Sequence, residues 1–275
     1  MKLHPDARQP YVVFDGLATT PRLDHAECVV VAPDGTLWCG GEAGQVFRIS
    51  GTDITEVAAT GGFALGLALD GDMLYICDVL LPGIWRLDTV SGALTTFGTT
   101  VAGHDLLNPN YPVVLPDGSL LVSDSGRADT PHTGLVRFDA DGNGSVWLDE
   151  PFAFANGLAL SQDGRTLYVA ESWAYRVRAV DLDENSRPLG PVRTHANTPG
   201  YVVDGLALDP NGVLYVGAYE PSAILRIPGP DQVELYAHDE TAHLLCHPTN
   251  LAFRGNELVV ANLGRWHLTG FDTKC

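Results

Sequence analysis

The sequence predicts an all-β chain that forms a six-bladed β-propeller. One short pattern, two apolar strand-like runs around a tight turn, occurs six times along the 275 residues. Its copies are spaced close to the ~40–50 residues of a four-stranded propeller blade. No stretch shows a convincing 3.6-residue periodicity of apolar residues, which disfavours α/β folds.

The clearest copy of the pattern lies in "VVDGLALDPNGVLYVGAY", residues 202–219. Apolar, β-prone runs flank the turn-forming cluster Asp-Pro-Asn-Gly. In four copies the Asp or Asn of the turn comes seven residues after the first residue, and the other two have shortened turns. The first residues of the six copies are, in chain order, Glu27, Leu65, Asn110, Asn156, Asp204 and Thr249.

The segments between the copies supply the outer strands of each blade. "GIWRLDTVSGALTTFG" and "RVRAVDLDENSRPLGPVRTH" each read as a third and a fourth strand. Near the N-terminus, "YVVFDG" is expected to form the outermost strand of the last blade and so to close the ring. Residues 1–275 are therefore expected to form a single domain.

The six first residues predict a metal site at the propeller axis. The first strand of each blade lines the central channel, so equivalent residues at its start form a ring. Capping a strand end is the simpler role for any one polar member, but two carboxylates and two amides in one place require a partner. A hard cation is that partner, with Ca²⁺ the first choice and Zn²⁺, Mn²⁺ or Mg²⁺ as alternatives. The predicted ligands are Glu27, Asn110, Asn156 and Asp204.

Composition excludes several classes of partner. Thirty-four acidic against sixteen basic residues leave a net charge of −18, which repels nucleic acid and anionic membrane surfaces. No apolar run approaches the ~20 residues that span a bilayer. The N-terminus lacks the apolar region of a secretion signal, and five cysteines without CxxC spacing fit a reducing compartment. We expect a cytoplasmic protein with a small-molecule substrate, and the sequence leaves its oligomeric state open.

These motifs resemble the SMP-30/gluconolactonase/luciferin-regenerating family. The likeness runs from "HAECVVVAPDGTLWCG" to "HPTNLAFRGNELVVANLG", nearly the whole chain. It implies a six-bladed propeller with one divalent cation at the axis, held by residues that correspond to Glu27, Asn156 and Asp204. The linked diisopropylfluorophosphatase-like enzymes often use a further Asn, which Asn110 matches.

The sequence departs from the sugar lactonases of that family around the predicted pocket. Tyr111 stands where an Asp is frequent, and Asn108 stands where an Arg is common. The loop "SGRADTPHTG" contains Arg127 and His132 but lacks the expected Glu. Asn108, Asn110 and Tyr111 remain predicted substrate contacts. The departures disfavour a glucono-type polyol lactone but not the hydrolysis of another lactone or ester.

The favoured function is metal-dependent hydrolysis of a lactone or a related activated ester. Loops that follow the second strands surround the pocket entrance, which adds Arg127, Trp173 and Tyr219 to the substrate contacts. Asp204 is the predicted proton acceptor, with His104 in reserve. Three alternatives remain: a phosphotriesterase-like hydrolase with Asp204 as nucleophile, a metal-free condensation like that of strictosidine synthase, which the acidic ring disfavours, and a non-catalytic binding propeller with a structural cation.

Overall fold

The computed structural model describes residues 9–127, 130–131 and 134–273. In these residues the chain forms twenty-eight β-strands and one three-residue 3₁₀ helix, Ser172–Ala174, so the all-β prediction is confirmed. The same residues contain no helix that is long and apolar enough to cross a membrane.

Each blade is an antiparallel sheet whose first strand lies at the axis. After β1 (Tyr11–Asp15), the first blade contains β2 (Val29–Val31), β3 (Leu37–Gly40), β4 (Gln45–Ser50) and β5 (Asp53–Ala59). The second contains β6 (Ala64–Asp70), β7 (Met73–Asp78), β8 (Gly83–Asp88) and β9 (Leu94–Gly98). The third is extended at its outer edge by β10 (Thr100–Val101) and β11 (His104–Asp105), and its main strands are β12 (Pro109–Val114), β13 (Leu120–Asp124), β16 (Leu135–Phe138) and β17 (Gly144–Leu148). A separate hairpin joins β14 (Gly126–Arg127) to β15 (Thr130–Pro131).

The second half of the chain repeats this arrangement. The fourth blade contains β18 (Ala155–Leu160), β19 (Thr166–Glu171), β20 (Arg176–Leu182) and β21 (Pro188–Asn197). The fifth contains β22 (Val202–Leu208), β23 (Leu214–Glu220), β24 (Ala223–Gly229) and β25 (Gln232–His238). The sixth contains β26 (Pro248–Arg254), β27 (Glu257–Asn262) and β28 (His267–Asp272), with β1 as its outermost strand. All six predicted copies therefore form the inner two strands of a blade.

The first strands of the six blades form a closed ring. Each contacts the first strand of the next blade, and β26 contacts β2. The ring is closed because β1, from the N-terminal end, pairs antiparallel with β28 of the last blade. This pairing confirms the position that was predicted for "YVVFDG". Phe14 of β1 and Leu268 of β28 lie in the same buried cluster.

Register irregularities mark the axial end of the inner strands. In five blades the pairing between first and second strands shifts where the ring residue lies, and such a bulge bends the strand and leaves a residue outside the ladder. Neighbouring inner strands also approach closely there. A Cβ on Gly157 would lie 2.6 Å from the Asp204 carbonyl oxygen, and one on Gly205 would lie 2.7 Å from that of Thr249. Glycine after the ring residue therefore permits the narrow channel.

The cysteines have packing roles. Cys28, Cys39, Cys77 and Cys246 are buried and carry free thiols. Cys39 and Cys77 lie on second strands and belong to apolar clusters between blades. A buried free cysteine behaves as a small apolar residue.

Ring closure by β1 should make a large contribution to stability. Phe14 is 6% exposed, whereas Val12 on the same strand is 41% exposed. Phe14→Ala removes a buried ring and leaves a cavity, so we expect it to lower the free energy of unfolding by about 3–5 kcal/mol in urea titration. Val12→Ala is the matched control and should change it far less. Equal effects of the two substitutions would contradict the closure described here.

Candidate metal centre

Four polar residues that share one position in the repeat are buried at the axial end of the inner strands. Their relative exposure is 4% for Glu27, 4% for Asn110, 4% for Asn156 and 7% for Asp204. Asn110 and Asn156 are the second residues of β12 and β18, Asp204 is the third residue of β22, and Glu27 comes shortly before β2. Burial of four such groups at one end of a channel requires compensation for the water that they lose.

Three of these residues carry an oxygen atom that is buried without a partner. Within the described part of the chain, the Oδ1 atoms of Asn110, Asn156 and Asp204 accept no hydrogen bond. A buried, unsatisfied oxygen typically destabilises the folded state by about 1–3 kcal/mol. Three such oxygens on neighbouring inner strands are the arrangement expected of protein ligands for a cation that binds oxygen atoms.

The pKa values of the two buried carboxylates are raised. Burial, and secondly the negative charge of Asp204, raise the pKa of Glu27 well above its usual range. Burial also raises the pKa of Asp204 to about 7, and the Asn156 amide opposes this rise by hydrogen bonding. Since two carboxylates in a dry channel resist simultaneous ionisation, they bind either protons or a cation. The oxygen-only donor set suits a hard divalent ion such as Ca²⁺.

Two further side chains orient the ring. Ser172 Oγ donates to the Val203 carbonyl oxygen at 2.6 Å and accepts from Asn156 Nδ2 at 3.2 Å, which holds the amide group of Asn156 and leaves its Oδ1 as the unpaired atom. Asn250 Nδ2 donates to Glu27 Oε2 at 2.9 Å. Sequence reasoning missed both residues. The available signal was their position, since Asn250 follows a ring residue and Ser172 follows the acidic end of a second strand.

Other buried carboxylates have a different role, because they accept hydrogen bonds from backbone N–H groups of the loops beside the ring. Asp78 Oδ1, for example, accepts from Leu80 at 3.0 Å and from Leu81 at 2.8 Å. Asp124 and Glu171 likewise end second strands and anchor loops. These three acids therefore fix loop conformation.

A second group of possible ligands lies outside the channel. Single ligand atoms of Asp24, His25 and Glu42 lie within 4.8 Å of one another. His25 Nδ1 lies 3.1 Å from Glu42 Oε2, and Asp24 Oδ2 accepts from Gln45 Nε2 at 3.1 Å. Because these groups are partly exposed and already paired, they lack the unsatisfied oxygens that mark the axial ring.

The predicted substrate contacts are distributed unevenly. Asn108 lies beside the ring strand, with its N–H bonded to Asp124 and its Oδ1 buried. Tyr111 is buried and packs in the apolar core. Arg127 is exposed on β14, while His132 lies outside the described residues. Trp173 is 54% exposed and packs against Phe154 with a 4.7 Å centroid distance.

The reserve proton acceptor, His104, is not brought to the ring. It lies exposed on β11, which is the strand of its sheet farthest from the axis. His104 lines one cavity together with Leu107 and Asp124. The role of His104 as the reserve proton acceptor stays a prediction.

His247 is the histidine next to a ring strand. It precedes β26 and stacks on Tyr219, with ring centroids 4.5 Å apart. His247 Nδ1 lies 3.1 Å from Glu220 Oε1 and 3.3 Å from the Tyr219 carbonyl oxygen. Burial, and secondly the charge of Asp204, raise the pKa of Tyr219, so this stacked pair stands on the Asp204 side of the ring.

The comparison with known proteins identifies the family. The sequence pattern of the SMP-30/Gluconolactonase/LRE-like region matches residues 26–261. The chain belongs to this family. Hemomucin of Drosophila melanogaster, an adipocyte plasma membrane-associated protein, is 28% identical over 188 residues, which cover 57% of the chain but only 32% of hemomucin.

Solved structures of family members share the fold. A gluconolactonase from Xanthomonas campestris superposes with a TM-score of 0.80 at 20% identity, covering 97% of this chain and 92% of that one. Regucalcin from Agrobacterium tumefaciens, described as a calcium-binding protein, gives a TM-score of 0.71 at 19% identity over 90% and 92% of the two chains. At these identities the likeness establishes the propeller alone.

The ring makes the stability of the metal-free protein depend on pH. Folding raises the pKa of Asp204 from 3.8 to about 7, so the folded state binds a proton that the unfolded state has released. In EDTA we expect the free energy of unfolding to fall as pH rises through this window, by about 1.4 kcal/mol per pH unit for one proton. Urea titrations from pH 4.5 to 7.5 measure it.

Matched variants assign this pH dependence to the ring. Asp204→Asn should lessen the decline in EDTA and leave the part that Glu27 contributes, whereas Glu184→Gln, which changes an exposed carboxylate, should leave the decline unchanged. Millimolar Ca²⁺ should reverse the decline, because ionised ligands bind the cation more tightly. Wild-type protein whose stability in EDTA is independent of pH would contradict this account of the ring.

Proposed function

We propose that the protein is a divalent-metal-dependent hydrolase that acts on a lactone or a related activated ester, with Ca²⁺ as the first candidate ion. The observation that carries this proposal is the buried ring of two carboxylates and two amides, with three oxygens left unpaired. The gluconolactonase and the calcium-binding regucalcin among the structural relatives support it.

Glu27, Asn156 and Asp204 would hold the cation, with Asn110 in direct or water-bridged reach. When bound, the ion supplies polarisation of the substrate carbonyl and stabilisation of the negative charge that develops on its oxygen. Ser172 and Asn250 keep the ligand side chains oriented through their hydrogen bonds to Asn156 and Glu27. This orientation limits the reorganisation that the ring needs during reaction.

Asp204 is the proposed proton acceptor for the attacking water. Burial raises the pKa of the metal-free carboxyl to about 7, and a bound cation would lower this pKa and weaken Asp204 as a base. The Ser172 hydroxyl donates to the carbonyl oxygen of Val203, just before Asp204, and Leu206, just after it, pairs with β23. The strand that carries Asp204 is therefore fixed on both sides of the ring residue. His247 replaces His104 as the second candidate, because it stands on the ring face.

A substrate screen tests the proposal. Apoprotein reloaded with Ca²⁺, Zn²⁺, Mn²⁺ or Mg²⁺ is assayed against lactones, aryl esters and organophosphates, and turnover of a lactone or ester that EDTA abolishes is the expected result. Preference for the organophosphates would favour the phosphotriesterase-like alternative. Tight metal binding without any turnover would show a binding propeller with a structural ion.

Paired variants separate the chemistry of Asp204 from its charge. Asp204→Asn and Glu27→Gln each remove one negative charge, so both should weaken metal affinity. At saturating metal, Asp204→Asn should still lose on the order of 10²–10⁴ in kcat, the usual contribution of a positioned acid or base. Glu27→Gln should recover much of its activity.

The histidines provide the control for this pair. His104→Gln should have wild-type kcat, since the residue lies at the outer edge of its blade. Equal residual rates in the two saturated ring variants would move the proton acceptor away from Asp204, and His247→Gln would then be tested next. Wild-type rates in both ring variants would mean that the reaction does not occur at the ring.

A further inference from the structure

The second blade presents an apolar residue at the ring position where the other five blades present polar ones. Leu65 occupies this position on β6, between Glu27 of the first blade and Asn110 of the third. It is buried, with 9% relative exposure. One wall of the candidate metal centre is therefore hydrocarbon.

The loop above Leu65 continues this apolar character toward solvent. Ala64 pairs with Asp78, so the β7–β8 loop leaves from the ring end of the blade. This loop presents Leu80 at 66% and Leu81 at 47% relative exposure. The half-buried Phe63 lies beneath it, and its carbonyl oxygen accepts from the Val79 N–H at 3.1 Å. We call Phe63, Leu65, Leu80 and Leu81 the apolar sector.

The conformation of the apolar sector is fixed by a buried charge. Asp78 is fully buried, and its Oδ1 accepts from the N–H groups of Phe63, Leu80 and Leu81 at 3.1, 3.0 and 2.8 Å. Its Oδ2 accepts from the Thr60 hydroxyl. Scattered exposed leucines are ordinary on protein surfaces, but the backbone that carries these two is fixed at the ring end of the blade, so they form an apolar contact surface beside the candidate active site.

The chemistry of the sector selects between substrate classes. The side chains of Phe63, Leu65, Leu80 and Leu81 offer no hydrogen-bonding group, so the hydroxyls of a sugar lactone would lose water there without replacement. An alkyl chain would gain from leaving water. On the fourth blade, the rings of Phe154 and Trp173, which contact each other at a tilt, add a further apolar surface at the same end of the propeller.

We propose that the apolar sector binds an alkyl or aryl substituent of the substrate, so that the substrate is a lactone or ester with an apolar side chain and not a polyhydroxylated one. This inference rests on the proposed function, because it assumes that the ester group is held at the ring. It assigns the specificity of that site to Leu65, Leu80 and Leu81.

A homologous series of substrates tests the proposal. kcat/KM is measured at saturating metal for γ-lactones with hydrogen, ethyl, butyl or hexyl at the γ-carbon. Full burial of one methylene corresponds to about a fourfold gain and half-burial to about a twofold gain, so we expect a rise of two- to fourfold per methylene over the shorter members. A flat series, or a preference for gluconolactone over all of them, would overturn the proposal.

Variants locate the effect. In Leu80→Asn/Leu81→Asn the ratio of kcat/KM for the hexyl lactone to that for the unsubstituted lactone should fall at least tenfold. Leu189→Asn is the matched control, because Leu189 is 54% exposed on β21, the outermost strand of the fourth blade, and it should keep the wild-type ratio. An unchanged ratio in the double variant would contradict the assignment.

Lactams separate this proposal from the proposed function. They match the lactones in shape but resist hydrolysis, so calorimetry reports their binding without turnover. Tighter binding of longer lactams, lost in the double variant, supports the apolar sector even if no lactone is hydrolysed, in which case the proposed function alone fails. Lactone turnover without any dependence on chain length leaves the proposed function standing and overturns the sector.

The oligomeric state completes the test. Light scattering should give the same molar mass for the wild type and for Leu80→Asn/Leu81→Asn. A wild-type dimer that the double substitution converts to a monomer would show that a second copy covers the sector, and it would overturn its assignment to substrate.

Discussion

The burial of two carboxylates, Glu27 and Asp204, at one end of a narrow channel is the constraint on which the site depends. Each is almost completely removed from water, burial raises the pKa of both, and the charge of Asp204 further raises the pKa of Glu27. Protons or a divalent cation can relieve this repulsion. The amide oxygens of Asn110 and Asn156 are also left unpaired at this end, and this makes a cation the better partner, because a proton on a carboxylate satisfies only one oxygen at a time.

The fold creates this constraint by symmetry. Six inner strands each supply one ring position, and β1 closes the circle by pairing with β28. Bulges and the close approach at Gly157 and Gly205 keep the ring narrow. Leu65 breaks this symmetry, because it puts a hydrocarbon side chain between the oxygen-bearing residues Glu27 and Asn110 of the neighbouring blades. A hydrolase needs both kinds of surface, one for the reacting group and one for the rest of the substrate.

The regular repeat explains why the inner strands and ring residues were predictable from sequence. Once the turn of a copy is located, the positions of its first two strands and of its ring residue follow. Contacts between blades were not predictable in this way. Ser172 and Asn250 donate hydrogen bonds to Val203 and Glu27 of the neighbouring blades. No local sequence pattern encodes these contacts between blades. Tyr111, beside a ring residue, packs into the apolar core.

A crystal structure grown in millimolar Ca²⁺, with anomalous data collected at long wavelength, tests the central claim most directly. The account predicts one anomalous peak on the propeller axis, within about 2.3–2.6 Å of oxygen atoms from Glu27, Asn156 and Asp204, with Asn110 bound directly or through a water. The same data from Asp204→Asn crystals should show a weaker peak or none. A well-ordered wild-type channel that contains only water, with Glu27 and Asp204 sharing protons, would contradict the account.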